Sequence, residues 1–462
     1  MNIINYINFY IIFLIVVILS IFTYIFMQID NYFLSQVNLF LCFIVASVIS
    51  TLKYKFNLLQ VLLASSLLFN FSYIFANLFG LADFPYNNLF LLGDGIDKPI
   101  SNSTLTYTFS YYSFFLLYSS LGWYLTTKNK QPYYISKNSI MEQLIDTKLF
   151  TFVFFVLYVI YTLSKIGTLI SAQKYGYVYV IHLNPFANYY VIPSYFFDWL
   201  YTPLSLFYLY TAKDRLSFIK RAFIILIPAL FMFLAGARGL FVSLLITLII
   251  YYNYYFQRLS LTKHLTLLLP LFLLAVFIGH IRFIDNSMDE LNFLTKIIET
   301  LKGSSTSFAV LSYSIILLDD FFNHVPFILG YLAGIFSFEP NYTYEGLLHK
   351  SYLAQHLTYL LNEDKLYRGS TIGTSQVAEI FELTHGNILL FIITSFLLMI
   401  FVNFMFRLSF RSPYFFYLGF IIVSNFVLSP RNSILKLFSK EMLVFTILYA
   451  ILFLCIQLIR KK

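Results

Sequence analysis

The sequence predicts an all-α polytopic integral membrane protein, and three observations support that prediction. The 462 residues are 60% hydrophobic and 11% charged, with a mean hydropathy of +0.77. A soluble domain carries about a quarter charged residues, so this composition cannot supply a water-exposed surface. The apolar residues are gathered in runs of about 20, the length that spans a bilayer. Lys and Arg recur in every second connector between these runs.

The apolar runs number about twelve, and we predict a transmembrane helix in each of them. The first run has no basic residue before it and no small-residue cleavage site after it, so we expect a retained anchor helix. The predicted bounds are 4–26, 33–50, 58–80, 104–125, 148–168, 194–212, 220–237, 239–257, 264–281, 387–406, 413–430 and 441–459.

The charge pattern predicts how the helices are oriented. Lys and Arg follow the second, fourth, sixth, eighth and tenth runs, whereas the intervening short connectors contain acids such as Asp30 and Asp94. Because cytoplasmic loops of membrane proteins carry the excess of Lys and Arg, both termini are predicted to be cytoplasmic. The same rule explains the net charge of +9, so we expect membrane lipids and no nucleic acid around this chain.

The longest connector, residues 282–386, is predicted to lie outside the cytoplasmic membrane. Its apolar stretches Phe308–Leu318 and Val325–Phe338 are too short, or too interrupted by Pro326 and two glycines, to span a bilayer. They are more typical of short or re-entrant helices, and long structured loops usually carry function. The predicted organisation is therefore 1–281 with helices 1–9, 282–386 as a large outer loop, and 387–462 with helices 10–12.

Four arginines fall on the predicted outer side, where the charge rule gives no reason for them. One interpretation is snorkelling of the side chains from helix ends toward water. The other is phosphate binding, because the planar guanidinium holds phosphate through two donors without titrating. Such groups could stabilise a pyrophosphate as charge develops on it during departure. The four are Arg238, Arg282, Arg368 and Arg431.

The end of the predicted loop carries two carboxylates and an imidazole. Glu379, Glu382 and His385 are spaced at i, i+3 and nearly i+7, so one helical face could present all three. A carboxylate there could take the proton of an attacking sugar hydroxyl. The alternative is an acidic helix start that is stabilised by the helix dipole. His349 and His356 are seven residues apart, and we interpret them as a solvated loop face.

Other chemistries have no support in the sequence. Cys42 and Cys455 lie inside apolar stretches and are expected to be packing residues. No Walker-type P-loop, dinucleotide-binding glycine pattern or zinc-ligand spacing occurs. We therefore expect neither a metal nor a cofactor.

Four short stretches carry a resemblance to a known family. They are Leu234–Gly239, Val325–Leu332, Ile372–Phe381 and Ser429–Arg431. Together with the topology they resemble the O-antigen polymerase (Wzy) family, whose run of glycine, serine and glutamate before a late helix is similar to Ile372–Phe381. The glycine that usually follows this run comes about one residue late here, at Gly386.

The resemblance implies a glycosyltransferase with a GT-C-like helical membrane fold. It implies an enzyme of the bacterial inner membrane that joins undecaprenyl-pyrophosphate-linked repeat units at the periplasmic face, with a Wzz-type chain-length regulator as partner. In that scheme Arg238, Arg282 and Arg431, with Arg368, bind the donor pyrophosphate. Glu379 is the base or orients the acceptor, and Glu382 and His385 are the alternatives to it.

The sequence is also compatible with two other functions, those of a ligase and of a transporter. A ligase would move finished glycan onto the lipid A core, but His349-Lys350 and His385-Gly386 match the ligase type of loop motif poorly. A flippase or other transporter could also have about twelve helices, but it should place ionisable residues along a path in the membrane. Lys165 and Asp198 are the best candidates for such a path.

Overall fold

The structure is a computed structural model, and its described residues form helices joined by turns. These residues are 3–52, 57–81, 100–127, 148–175, 194–212, 214–236, 238–256, 307–322, 325–330, 343–367, 371–433, 446–447 and 449–451. The α-helices in chain order are α1 Ile3–Gln28, α2 Tyr32–Thr51, α3 Leu58–Ser66, α4 Ser72–Leu78, α5 Asn102–Thr126, α6 Lys148–Tyr175, α7 Ser194–Tyr210, α8 Arg215–Leu234, α9 Arg238–Tyr255, α10 Ser307–Ile316, α11 Tyr344–Lys350, α12 Leu353–Leu361, α13 Glu363–Tyr367, α14 Gln376–Leu383, α15 Ile388–Leu408 and α16 Pro413–Leu428.

Within the described residues, 7 helices are long and apolar enough to cross a membrane. The chain is thus a polytopic helical membrane protein. Their bounds are Asn8–Gln28, Tyr32–Thr51, Leu58–Leu78, Phe150–Lys174, Arg215–Leu234, Ile388–Leu408 and Pro413–Arg431.

Of the remaining predicted runs, three form helices that do not meet the criterion for a span, and two lie wholly or mostly outside the described residues. Helices α5, α7 and α9 form where runs were predicted, but they are too polar or too short to meet the same criterion. The runs 264–281 and most of 441–459 lie outside the described residues. The count of twelve spans therefore stays a prediction.

Side-chain caps define where several helices begin. The carboxamide oxygen of Asn31 accepts the backbone N–H of Leu34 at 3.0 Å at the start of α2, and Asn57 caps α3 through Gln60 at 3.1 Å. Each bond satisfies one of the N–H groups that a helix start leaves without a partner. Such caps matter in a membrane, where water cannot replace them.

The third span is interrupted by a π-helical turn. Residues Leu67–Phe71 form this turn between α3 and α4, and Asn70 and Phe71 in it are buried. π-helical turns are rare in proteins, but those that do occur are often found at functional sites. This turn packs against the 3₁₀ turn Ser429–Arg431 at the end of α16.

The described chain divides into two compact units that cut across the predicted segments. The first comprises Met1–Lys130, Asp285–Phe404 and Phe426–Ile434. In it, α5 is the central helix and packs on α1, α2 and α10. Polar side chains pair between its helices: Asn403 donates to the Thr126 hydroxyl at 2.7 Å, as small polar residues commonly do between membrane helices.

The second unit comprises Gln131–Ile284, Met405–Asn425 and Leu435–Lys462. Its core is aromatic, because the fully buried ring of Tyr251 lies 5.1–5.6 Å from the rings of Phe406, Phe410, Phe416 and Phe420. Helix α8 packs on α9 through Phe233 and Phe241, whose ring centroids are 5.0 Å apart.

The segment predicted as the outer loop contains short helices, α10 to α14, and all of them belong to the first unit. Helix α14 contacts four other elements: α5, α10 and the 3₁₀ turns Phe327–Leu329 and Ser429–Arg431. Seven of its eight residues are buried. The residues on α14 therefore lie inside the first unit and not on the surface of a loop.

Candidate functional site

The candidate site is built around α14, and the turns at its two ends fix its position. Gly373, with φ of +96°, turns the chain before the helix. At the other end the N–H of Gly386 donates to the carbonyl of Phe381 at 3.1 Å, and Gly386 has a φ of +69°. The residue before it, His385, holds the left-handed position at which a helix usually stops: its φ is +45°, and its N–H donates to the Glu382 carbonyl at 2.9 Å. The hydroxyl of Tyr111 on α5 donates to the Gly386 carbonyl and holds this end in place.

The Glu379 carboxyl lies inside the unit, held by two hydroxyls. Its side chain is 2% exposed. The Thr374 hydroxyl donates to Oε1 at 3.0 Å, and the Ser433 hydroxyl donates to Oε2 at 2.8 Å. Thr374 precedes α14, whereas Ser433 comes from the segment after α16. The carboxyl therefore joins two stretches of chain that are far apart in sequence.

Burial changes the proton affinity of this carboxyl. Loss of water around the charged form raises the pKa of Glu379 from 4.5 to about 8. The hydrogen bonds from Ser433 and Thr374 lower the pKa, and the nearby charge of Glu382 raises it. Burial is the largest of these causes, so Glu379 is mostly protonated at neutral pH. A group with a pKa near the working pH can both take up and release a proton.

Glu382 is bound in another way, one turn further along the same helix. It is 5% exposed, and its Oε2 accepts the backbone N–H of Phe327 at 3.1 Å. This bond anchors the 3₁₀ turn Phe327–Leu329 to α14. The close packing of Gly330 against the backbone of Ser351 fixes the other side of that turn.

His385 does not continue the predicted helical face, so that expectation is wrong. Helix α14 ends at Leu383, and His385 lies in the following turn with a φ of +45°. The side chain of His385 is exposed, whereas Glu379 and Glu382 are buried. The helical spacing continues in the sequence to His385, but the helix itself ends two residues earlier, at Leu383.

Arg431 lies near the Glu379 carboxyl because it is two residues before Ser433, which binds that carboxyl. It is the last residue of the 3₁₀ turn Ser429–Arg431, and its guanidinium carbon is 5.9 Å from the ring centroid of Phe69. That ring belongs to the π-helical turn. Asn432 is extended, and Ser433 then reaches Glu379. Two residues of extended chain span at most about 7 Å, so the backbone of Arg431 is close to the Ser433–Glu379 bond.

The other three predicted arginines lie outside the described residues of the first unit. Arg238 is the first residue of α9 in the second unit, directly after the turn at Gly236, whose φ is +113°. Arg282 and Arg368 lie outside the described residues. The structure therefore brings Glu379, Glu382 and the Arg431 segment together, and the remaining arginine assignments stay predictions.

Three residues of the site were not predicted as part of it. Thr374 and Ser433 bind Glu379, and neither carries a pattern by itself. His356 was expected on a solvated face with His349, which is wrong: the chain breaks between them at Ser351, with a φ of +47°. His349 is exposed, but His356 is fully buried between the rings of Phe322 and Phe327, each 4.8 Å away.

His356 is neutral in this environment. Burial lowers its pKa to about 4, although the hydrogen bond to the Tyr352 carbonyl acts in the other direction. That bond joins Nδ1 to the carbonyl oxygen at 3.2 Å. A neutral ring donates there from Nδ1, which leaves Nε2 as an acceptor. The only signal in the sequence for its burial is the apolar pattern of α12 around it.

The comparisons with known proteins give one family. The model of the family described as O-antigen polysaccharide polymerase Wzy matches residues 7–462. No curated protein and no solved structure matches the chain.

Proposed function

The chain belongs to the O-antigen polysaccharide polymerase Wzy family, and from this premise we propose that it joins lipid-pyrophosphate-linked oligosaccharide repeat units into a surface polysaccharide. The hydroxyl oxygen of one repeat unit attacks the anomeric carbon of the sugar at the reducing end of a growing chain. The bond from that carbon to the pyrophosphate oxygen breaks, and the lipid pyrophosphate leaves with the electron pair. The acceptor proton passes to a carboxylate.

One observation carries the residue assignment: the hydrogen bond of Ser433 to Glu379. It ties the segment that contains Arg431 to the buried carboxyl. The joining reaction needs a proton acceptor for the attacking hydroxyl and a cation for the leaving pyrophosphate. Glu379 and Arg431 supply these two groups on adjoining stretches of one unit. We assign Glu379 as the proton acceptor and Arg431 as a pyrophosphate ligand.

The pKa of Glu379 suits this role. At pH 7 a carboxyl with a pKa of about 8 is ionised in about one molecule in ten. The ionised form is a far stronger base than an exposed carboxylate, so it accepts a proton as the acceptor oxygen attacks. The hydroxyls of Thr374 and Ser433 keep the carboxyl oriented in both protonation states.

The finer points of the scheme belong to the same proposal. The donor is linked to undecaprenyl pyrophosphate, and the reaction takes place at the periplasmic face of the bacterial inner membrane. Both chain termini are cytoplasmic, about twelve helices span the bilayer in a GT-C-like arrangement, and a Wzz-type regulator sets chain length. Arg238, Arg282 and Arg368 are further pyrophosphate ligands.

The experiment that tests the assignment compares arginine variants in a strain that lacks the gene. We expect Arg431→Ala to reduce polymer formation about 10²- to 10³-fold, the range for loss of a group that stabilises developing charge. Arg431→Lys should restore little, because a point charge lacks the two-pronged geometry for phosphate. Arg411→Ala, an exposed arginine after α15, is the matched control and should leave chain length unchanged.

The same strains separate the competing activities by the product that accumulates. Loss of a polymerase leaves lipopolysaccharide with a single repeat unit, loss of a ligase leaves free lipid-linked polymer, and loss of a flippase leaves lipid-linked units at the cytoplasmic face. Long sugar chains of normal length with Arg431→Ala would contradict the arginine assignment.

A further inference from the structure

Gln376, the first residue of α14, is buried, and its side-chain amide has no hydrogen-bond partner among the described residues. Its side chain is 0% exposed. Neither its amide nitrogen nor its amide oxygen has a hydrogen-bond partner among the described residues. Burying a carboxamide without partners costs several hydrogen bonds that water would otherwise make. A group kept at that cost is a candidate for binding something that is not part of the protein.

The surroundings of this amide are polar on the side of the carboxyl. Gln376 and Glu379 are three residues apart on α14, so they lie on neighbouring parts of one helical face. Thr374, two residues before Gln376, binds Glu379. Ser375 does not cap the helix with its side chain, and its buried hydroxyl has no hydrogen-bond partner among the described residues. The start of α14 thus gathers an amide, hydroxyls and a carboxyl.

The described residues leave open space beside Gly373, before the start of α14. At Gly373, no described atom lies within 4 Å of the position that a Cβ would take. Residues 371–373 are half-buried, unlike the fully buried helix that follows them. The described chain thus leaves room three residues before Gln376, whose own side chain is fully buried.

We propose that the Gln376 carboxamide binds hydroxyls of the acceptor sugar and so places a neighbouring hydroxyl against Glu379. An amide presents one acceptor and two donors side by side. Adjacent hydroxyls of a sugar ring present the same combination, so the amide can accept from one and donate to the next. A phosphate offers acceptors alone and would face the amide oxygen and the Glu379 carboxyl, so the ligand class is a neutral, hydroxyl-bearing sugar.

This inference rests on the proposed function, because it assigns the acceptor side of the same site. It makes Gln376 a residue that binds and orients substrate, distinct from Glu379, which takes the proton. The inference also gives the amide a role that a purely structural glutamine would not have. Gln36 on α2 is such a structural glutamine: its amide nitrogen donates to the Ile74 carbonyl at 2.8 Å and to Asn77 at 3.3 Å.

The test uses Gln376→Met, which keeps the length of the side chain and removes its polar atoms, with Gln36→Met as the matched control. The acceptor probe is the repeat unit released by mild acid from the lipid-linked pool of a strain that lacks the gene. Without its pyrophosphate, this probe can act only as acceptor. Its binding to purified full-length protein is followed by thermal shift, and its incorporation into polymer by mass spectrometry.

We expect Gln376→Met to fold with unchanged or higher thermal stability and to bind the acceptor probe about 10- to 100-fold more weakly. Saturating acceptor should restore most of its turnover. Gln36→Met should lose stability because it breaks internal bonds, and its half-saturating acceptor concentration should be that of wild type.

Two results would overturn the inference. Unchanged acceptor affinity in Gln376→Met would show that the amide does not bind the sugar. Failure of Gln376→Met to fold would show that the amide is bonded within the protein. Failure of the proposed function looks different, because the wild-type protein itself would then form no polymer from lipid-linked repeat units.

Discussion

Glu379 and Glu382 lie one turn apart on α14, and both are buried, yet the protein binds them in different ways. Glu379 accepts hydrogen bonds from two side-chain hydroxyls, those of Thr374 and Ser433. Glu382 accepts a backbone N–H, that of Phe327. A hydroxyl can turn to accept a hydrogen bond when the carboxyl gains a proton, whereas a backbone N–H can only donate. The carboxyl of Glu379 can therefore gain or lose a proton without losing its hydrogen-bond partners.

This difference separates a chemical role from a structural one. The bond of Glu382 fixes the 3₁₀ turn Phe327–Leu329, and through the Phe327 ring it reaches His356. The bonds of Glu379 connect instead to Ser433 and to the segment that carries Arg431. Sequence spacing treats the two carboxylates as equivalent, and we propose the first, Glu379, for the proton transfer because two hydroxyls bind it.

The largest effect should come from removing the carboxyl of Glu379. We expect Glu379→Gln to reduce polymer formation about 10²- to 10⁴-fold, because the amide cannot accept the acceptor proton. Glu382→Gln should retain activity within several-fold of wild type, since the amide oxygen can still accept the Phe327 N–H. Polymer formed from lipid-linked repeat units by purified variants measures both.

The control for this pair is thermal stability. Both variants should stay folded, and Glu379→Gln should be at least as stable as wild type at pH 8. An inactive Glu382→Gln beside a fully active Glu379→Gln would exchange the two roles and contradict the comparison.

Removing a hydroxyl partner should change the affinity of Glu379 for its proton. The hydrogen bonds from Ser433 and Thr374 lower the pKa of Glu379, so Ser433→Ala should raise it above about 8. Activity at pH 7 should then fall several-fold and recover in alkaline buffer. Infrared titration of the carboxyl band, with Glu379→Gln subtracted, gives the midpoint directly. A midpoint lower than that of wild type would contradict the role of the hydroxyl.

Protein stability should depend on pH through the same group. The pKa of Glu379 is raised on folding, from 4.5 to about 8, so the folded state binds the proton more tightly than the unfolded chain. Its contribution is fully present below pH 4.5, and it is lost as pH rises to about 8. Thermal unfolding of wild type minus Glu379→Gln should show this decline. A difference that is constant with pH would contradict the raised pKa.

The smallest effect should come from replacing Phe69, whose ring lies against the guanidinium of Arg431. The cation–aromatic contact with Phe69 contributes about 0.5–1 kcal/mol at exposed sites, so Phe69→Leu should weaken donor use about two- to fivefold. Phe69→Tyr keeps the ring and should behave as wild type. The half-saturating concentration of lipid-linked donor is the measurement. Equal loss in the Leu and Tyr variants would show that packing in the π-helical turn, and not the ring face, is responsible.

Much of the helical fold could be predicted from the sequence, because apolar runs of bilayer length have few other solutions. The bounds of α2, α5 and α15 differ from the predicted runs by one or two residues. The π-helical turn in the third run could not be predicted, since no proline or glycine marks it. Helix α5 was predicted as an ordinary span, but most of its serines and tyrosines are buried.

The candidate site was predicted less completely, for physical reasons that differ by residue. Glu379 was predicted because it shares a helical face with Glu382 and lies in the family-like run Ile372–Phe381. Ser433 was not identified, since a contact between residues 54 positions apart leaves no local pattern. Thr374 is only five residues from Glu379, but a threonine before a helix does not indicate by itself which group it binds. His385 was included because the helical spacing continues in the sequence past Leu383, where the helix ends. His356 was taken for a surface residue because its burial depends on the break at Ser351.

The most direct test of the central claim is the dependence of the polymerisation rate on pH at saturating substrate. If Glu379 takes the acceptor proton, the rate of the wild-type protein should rise about tenfold per pH unit below pH 8 and level off above it. The residual rate of Glu379→Gln should not rise with pH in this range. A wild-type rate that is flat between pH 6 and 9, or an identical rise in Glu379→Gln, would contradict the assignment.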